Sequence, residues 1–208
     1  MERYLTFSTQ FPAYHPRKGE PTYFIEKIWS GLLRMDAFWY GQFLTDPQDS
    51  AKHSESFSRL RKYDPKYHTI RAGHRFNVGD SIIPWHWSGK PYASKWVKPF
   101  HNGDLAIPVT NVWDFQIDEN GICSLGGKYV FDNDDGSPSE AEVLIAKNDG
   151  LTDIDFFHWL IYPVYKSGKP FDGQIICWCP KVRYLDTDPI VNKEIPPPNP
   201  NRKIIRMQ

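Results

Sequence analysis

Residues 66–80, KYHTIRAGHRFNVGD, gather side chains that donate or move protons: Lys66, His68, Arg71, His74 and Arg75. The segment reads as a strand, a turn at Ala72-Gly73 and a second strand, and so as a short β-hairpin. Arg71 stands just ahead of the turn. Its guanidinium offers a fork of donors suited to a phosphate or a base edge. A salt bridge to Asp80 across the hairpin is the structural alternative. His68 and His74 are metal-ligand types, but no third ligand lies at a recognisable spacing, so neither a metal nor a cofactor is expected. Downstream, PWHWSGKPY puts Trp85 and Trp87 on one face of a strand with His86 opposite. Two indoles on one face are either core or a stacking platform for bases. Lys90, Lys95 and Lys98 add positive charge that either meets a phosphate backbone or lies on a solvated face. The ligand contacts read from this region are Arg71, His68, Trp85, Trp87 and Lys90, lining a pocket for a nucleobase or nucleoside.

Composition narrows the partners. The 208 residues suit one domain with elaborations. Aromatics at 15% can supply a core and still leave rings for a binding face. The 25 basic and 25 acidic side chains cancel, which excludes a protein-wide basic field for gripping long nucleic acid and leaves only local patches. The acidic run DNDDGSPSEAE reads as a solvated loop that would repel a polyanion. Cys123, Cys177 and Cys179 do not form a disulfide pattern and read as buried small apolar residues. MERYLTFSTQF lacks the apolar run of a signal peptide, and no window approaches the roughly 18 apolar residues of a membrane span. A soluble, cytoplasmic protein is the expectation.

The elements that must hold these residues follow from periodicity. RYLTFSTQF alternates as a first strand with Leu5 and Phe7 on one side. In TYFIEKIWSGLLRM, Phe24, Ile28 and Leu32 recur at helical spacing, with Thr22 as N-cap. Residues 41–63 read as an irregular excursion with a short helix near Ser54 to Arg61. Residues 76–92 read as a strand into a hairpin tipped by Ser88-Gly89-Lys90. LAIPVTNVWDFQIDENG reads as one long strand into a Glu119-Asn120-Gly121 turn, and ICSLGGKYVF as a hairpin. AEVLIAKNDGL is short and mixed. TDIDFFHWLIYPVY is a second helix, capped by Thr152 and ended or bent by Pro163. FDGQIICWC closes the strand set. DPIVNKEIPPPNP resists regular structure. Six or seven strands with two helices near the two ends of the run fit an α+β fold, most simply a small β-barrel with helices against its openings.

A first strand, a helix, K-x-x-T-I-R (Lys66, Thr69, Ile70, Arg71), a turn and G-D (Gly79, Asp80) opening the next strand resemble the ASCH domain of the PUA-like β-barrel superfamily. The late AKNDGLTDIDFFHWL followed by FDGQIICW is similar to the end of such a domain. The resemblance spans roughly residues 4–180. It implies a domain over 1–185 with insertions near 33–63 and 120–140, and a Pro-rich extended tail over 186–208. It implies as partner RNA or a modified nucleoside, with no membrane. One ASCH branch removes the acetyl group from N4-acetylcytidine with a Lys, a Thr and an acid. Carried over, these are Lys66, Thr69 and Asp149, although that branch has Glu where this chain has the shorter Asp.

In that chemistry Thr69 is the nucleophile, Lys66 its base once desolvation lowers the amine's pKa, and Asp149 the group that orients the amine or shuttles a proton. Strand alternation sets Lys66, His68 and Ile70 on one side and Tyr67, Thr69 and Arg71 on the other. Lys66 and Thr69 meet only if the chain turns or bulges near Asp64-Pro65. Three functions remain open on sequence: recognition of RNA or a modified base, hydrolysis of an acylated nucleoside's amide bond, and protein interaction without a nucleotide. A buried Lys66 amine within hydrogen-bond reach of Thr69 favours the second. An open Trp-lined groove with Lys66 in water favours the first.

Overall fold

The chain alternates between two sheets. The computed structural model describes residues 1–36, 39, 58–88, 94–97, 106–130 and 138–184. Lys90, Lys98, most of the expected insertion near 33–63, residues 131–137 of the one near 120–140, and the Pro-rich tail lie outside them. Strands β1 (Glu2–Phe7), β3 (Ser81–Trp87), β4 (Trp96–Val97) and β5 (Ile107–Pro108) form one sheet. In it β1 runs parallel to β3, and β4 and β5 pair antiparallel with opposite ends of β3. Strands β2 (His68–Ala72), β9 (Phe171–Cys177), β6 (Asn111–Ile117), β7 (Cys123–Leu125) and β8 (Lys128–Val130) form an antiparallel sheet in that spatial order. Helices are α1 (Phe24–Met35), α2 (Glu140–Asn148), α3 (Asp153–Phe156) and α4 (Tyr162–Ser167). The protein is α+β. Among the described residues the sheets do not close into a barrel, because no ladder joins the four-stranded sheet to the five-stranded one.

The expected hairpin at 66–80 is instead a crossover. Among the described residues β2 pairs only with β9, and β3 pairs with β1, β4 and β5. The side chain of Gln174 holds the connection, accepting from the Phe76 backbone N–H at 3.0 Å and donating to the Phe76 carbonyl at 3.1 Å. Asp80 turns to Arg3 at 2.8 Å rather than to Arg71. The expected long strand at 105–121 is also two. Val109 and Thr110 carry the chain between sheets, with Val109 bonded to the Asp80 carbonyl and Thr110 to that of Cys177.

Alternation assigns the faces of the five-stranded sheet. His68, Ile70, Ile175, Cys177, Trp113 and Phe115 share one face. The helical layer covers it: His68 bonds the Ile145 carbonyl and Phe115 meets Phe156 edge-on. Thr69, Arg71, Ile176 and Trp178 share the other face, towards Phe7 of β1. Phe24, Ile28 and Leu32 of α1 are buried as their spacing requires, about 1.5–3 kcal/mol of transfer free energy each.

Two expectations in the helical layer are corrected. Residues 141–148 of the mixed segment belong to α2, whose N-cap Ser139 accepts from the Glu142 backbone N–H at 3.1 Å. The second helix does start at the Thr152 cap, and of the two readings of Pro163, an end or a bend, the end is excluded because the helix runs on to Ser167. It widens into a π turn over Phe157–Ile161, and Pro163 then enters the first turn of α4, where a missing N–H costs least. No helix among the described residues is long and apolar enough to cross a membrane.

Gly31 sets the distance between α1 and the segment leading into β2. A Cβ there would stand 2.6 Å from the Lys66 carbonyl oxygen, a backbone atom that cannot swing aside. Gly31→Ala should therefore lower stability by about 1–3 kcal/mol, although Ala is the better helix former by roughly 1 kcal/mol. Urea unfolding measures this; a stabilised variant would mean that the approach of α1 does not constrain the fold.

Candidate functional site

Three backbone hydrogen bonds deliver Lys66. Its N–H donates to the Lys27 carbonyl of α1 at 2.9 Å, the Tyr67 N–H donates to the Asn148 carbonyl at the end of α2 at 2.8 Å, and the Trp178 N–H donates to the Tyr67 carbonyl at 3.1 Å. The segment is thus threaded between two helix ends and the last strand. α2 ends as its sequence dictates. The Leu151 N–H reaches the Ala146 carbonyl and the Gly150 N–H reaches that of Lys147, a Schellman motif with Gly150 at φ +76°. That left-handed position suits glycine, and a Cβ there would also stand 3.3 Å from the Lys66 Cβ. The motif leaves Asp149 as the last helical cap, with its carbonyl and carboxylate both turned to the lysine.

The Lys66 side chain is fully buried. Nζ donates to the Asp149 Oδ1 at 2.6 Å and also to the Asp149 carbonyl oxygen. It lies 4.3 Å from the Phe24 ring centroid and 6.0 Å from that of Phe7. Burial pushes the Lys66 amine down to about 8, against the pull of Asp149; Arg71 and Lys27 push it the same way as burial. Burial likewise raises the Asp149 carboxyl above its usual range, opposed by Lys66. Desolvation outweighs attraction at both ends, so the pair is driven towards its uncharged forms.

His68 is fully buried beside the pair. Nε2 lies 3.1 Å from the Ile145 carbonyl oxygen, and Nδ1 lies 3.7 Å from the Asp149 Oδ1 with no hydrogen-bond partner among the described residues. Burial holds the ring well below its ordinary range, with Lys66 adding to the effect. Arg71 is half-buried; it donates to the Thr6 carbonyl of β1 at 2.8 Å and lies 5.4 Å from the Phe7 centroid. Thr69 is buried. The buried Trp178 indole N–H has no hydrogen-bond partner among the described residues, and the ring meets Phe7 edge-on at 6.3 Å.

Lys66, Asp149 and His68 therefore converge, and Arg71 joins them across Phe7. Trp85 and Trp87 do not. The register pairs Thr6 with Trp85 and Phe7 with His86, so the indoles share the face of Tyr4 and Thr6, opposite to Phe7. Trp85 packs edge-on against Tyr4 at 6.0 Å. Lys95 is exposed near the start of β4. Sequence reasoning missed Lys27, Phe7, Phe24 and Trp178. Lys27 Nζ donates to the Gly150 carbonyl at 2.6 Å, and burial lowers its pKa too. Its signal was its place in the amphipathic helix, one residue before the buried Ile28.

Removing one partner of a buried pair strands the other, at a cost of about 3–5 kcal/mol, whereas removing both with apolar or neutral groups of like volume costs far less. Asp149→Asn and Lys66→Met should each destabilise by that order in urea unfolding, and the double variant by less than the sum. Additive losses would show that the two groups do not act as a pair. The chain matches no protein-family model, no curated protein and no solved structure.

Proposed function

We propose that the protein hydrolyses the amide bond of an acylated nucleobase or nucleoside of the N4-acetylcytidine type, as the resemblance to ASCH and PUA-like domains implies. The observation that carries the reading is the fully buried Lys66 amine, held by Asp149 and lowered to about 8. An ordinary lysine is almost wholly protonated at neutral pH and cannot accept a proton; this one has a usable free-amine fraction.

The steps use the chain's own residues. The free Lys66 amine takes the Thr69 hydroxyl proton as Oγ1 attacks the acyl carbon. The tetrahedral intermediate collapses, the C–N bond breaks, and the exocyclic nitrogen leaves with the proton from Lys66. Water then attacks the acyl-threonine ester with Lys66 again as base, releasing the carboxylic acid and restoring Thr69. Asp149 orients the amine throughout. Arg71 offers N–H donors to the base or ribose, and the Trp178 indole N–H offers a further donor to a carbonyl of the ligand.

A second reading is recognition of RNA or a modified base without turnover. The half-buried Trp85 and Trp87 beside exposed Tyr4 favour it, as a stacking surface on the outer face of the four-stranded sheet. It predicts salt-sensitive binding to short single-stranded RNA that Trp85→Ala weakens.

Incubation with a panel of N4-acylated cytidines tests the hydrolase. Acid release by wild type should fall by about 10²–10⁴-fold in Lys66→Met, the usual worth of a general base. A base works deprotonated, so kcat/KM should rise with pH and level off above about 8. No turnover by wild type, or equal turnover by the variant, ends the hydrolase reading.

A further inference from the structure

We propose that His68 is a positioning residue for the proton of this site: its bare Nδ1 faces the Asp149 carboxylate and holds a proton on that carboxyl, leaving the Lys66 amine free. The inference rests on the reading of Lys66 and Asp149 as the reactive pair.

The geometry fixes the tautomer. A carbonyl oxygen only accepts, so at 3.1 Å from the Ile145 oxygen His68 Nε2 must carry the hydrogen. In the neutral ring Nδ1 is then a bare acceptor. It is buried, it has no partner among the described residues, and what it faces at 3.7 Å is the Asp149 Oδ1. With Asp149 ionised, two lone pairs oppose each other in a dry place. With a proton on Oδ1 the same contact becomes donor and acceptor. Oδ1 accepts from the Lys66 amine at 2.6 Å, and the bare imidazole nitrogen stands on its other side at 3.7 Å. His68 thereby favours the uncharged form of the pair, lysine amine with carboxylic acid, over ammonium with carboxylate.

The other charged and titratable neighbours bear on this balance. Lys27 of α1 and Arg71 of β2 are cations whose fields favour the carboxylate. Tyr184 packs its ring edge-on against His68 at 5.7 Å and keeps its proton, its pKa raised well above the ordinary value by burial. Its oxygen accepts from the Asn148 amide at 3.1 Å. Among the described groups packed around Asp149, His68 brings an unpaired acceptor to the carboxyl.

Two substitutions separate positioning from packing. His68→Gln puts an amide N–H where Nε2 is and keeps the Ile145 bond, but has no acceptor at the Nδ1 position. His68→Asn puts an amide oxygen at the Nδ1 position and gives up the Ile145 bond. The readout is the side-chain carboxyl ¹³C shift of Asp149 in the full chain, labelled at aspartate, titrated with pH and assigned with Asp149→Asn; it needs no substrate. His68→Gln should lower the Asp149 midpoint by about one pH unit, and His68→Asn should leave it close to wild type. An unchanged midpoint in His68→Gln, or a larger shift in His68→Asn, overturns the proposal and makes His68 a packing residue. Absence of turnover on acylated cytidines would sink the hydrolase alone, since this titration reads the proton directly.

Discussion

A primary amine with no contact to water governs this structure. Burying the Lys66 ammonium alone would cost several kcal/mol, and a single carboxylate at 2.6 Å repays that only in part. The surroundings supply the rest. The Asp149 carbonyl takes a second N–H, and the Phe24 ring turns its negative face to the amine at 4.3 Å. Each of these contacts needs a close approach that one residue type permits. Gly31 lets α1 lie against the Lys66 carbonyl, and Gly150 both ends α2 and clears space beside the lysine stem. A fold seeking stability alone would fill this place with an apolar side chain, because a well-packed hydrophobe is commonly no worse than a buried ion pair. The arrangement makes better sense as a means of lowering a lysine's pKa towards neutrality.

The division into two sheets serves the same end. Among the described residues β2 is the edge of the five-stranded sheet, and one side of its backbone has no ladder partner there. Bare edges invite pairing with other chains. Here Arg71 covers part of the gap by reaching the Thr6 carbonyl of β1, tying the sheets through a side chain where a barrel would use a ladder. The open seam gives Lys66 and Phe7 a common space. A continuous ladder between β1 and β2 would occupy it with backbone.

The sequence revealed elements more readily than pairings. β1 and α1 were legible because Leu5 and Phe7, and Phe24, Ile28 and Leu32, bury one face at the period of their element. The β6–β7 turn was legible because Asn120-Gly121 suits it, Gly121 standing at φ +85°. The crossover at 73–80 was not. Turn residues between two strands look alike whether the strands pair with each other or with β9 and β1, and the Gln174 side chain that settles the matter lies 98 positions from Phe76. α2 escaped notice because Val143 and Leu144 are exposed, which blurs its apolar face, although Ser139 and Glu142 carry the spacing of a helix start. Asp149 was reached only through family resemblance. Its partner is 83 positions away, and no local rule links them.

Alternation seemed to set Lys66 against Thr69, and the edge position of β2 changes the force of that objection. Lys66 precedes the first strand residue, so its side chain is not bound to the alternation that governs residues 68–72. Nζ lies near groups of both sides. Through Asp149 it adjoins His68, whose face packs on α2. Through the Phe7 ring, 6.0 Å from Nζ and 5.4 Å from the Arg71 guanidinium carbon, it adjoins the face that carries Thr69 and Arg71. An amine at a sheet edge can thus adjoin groups on both faces of the sheet. In a central strand, with neighbours on both sides, a side chain would be confined to one face.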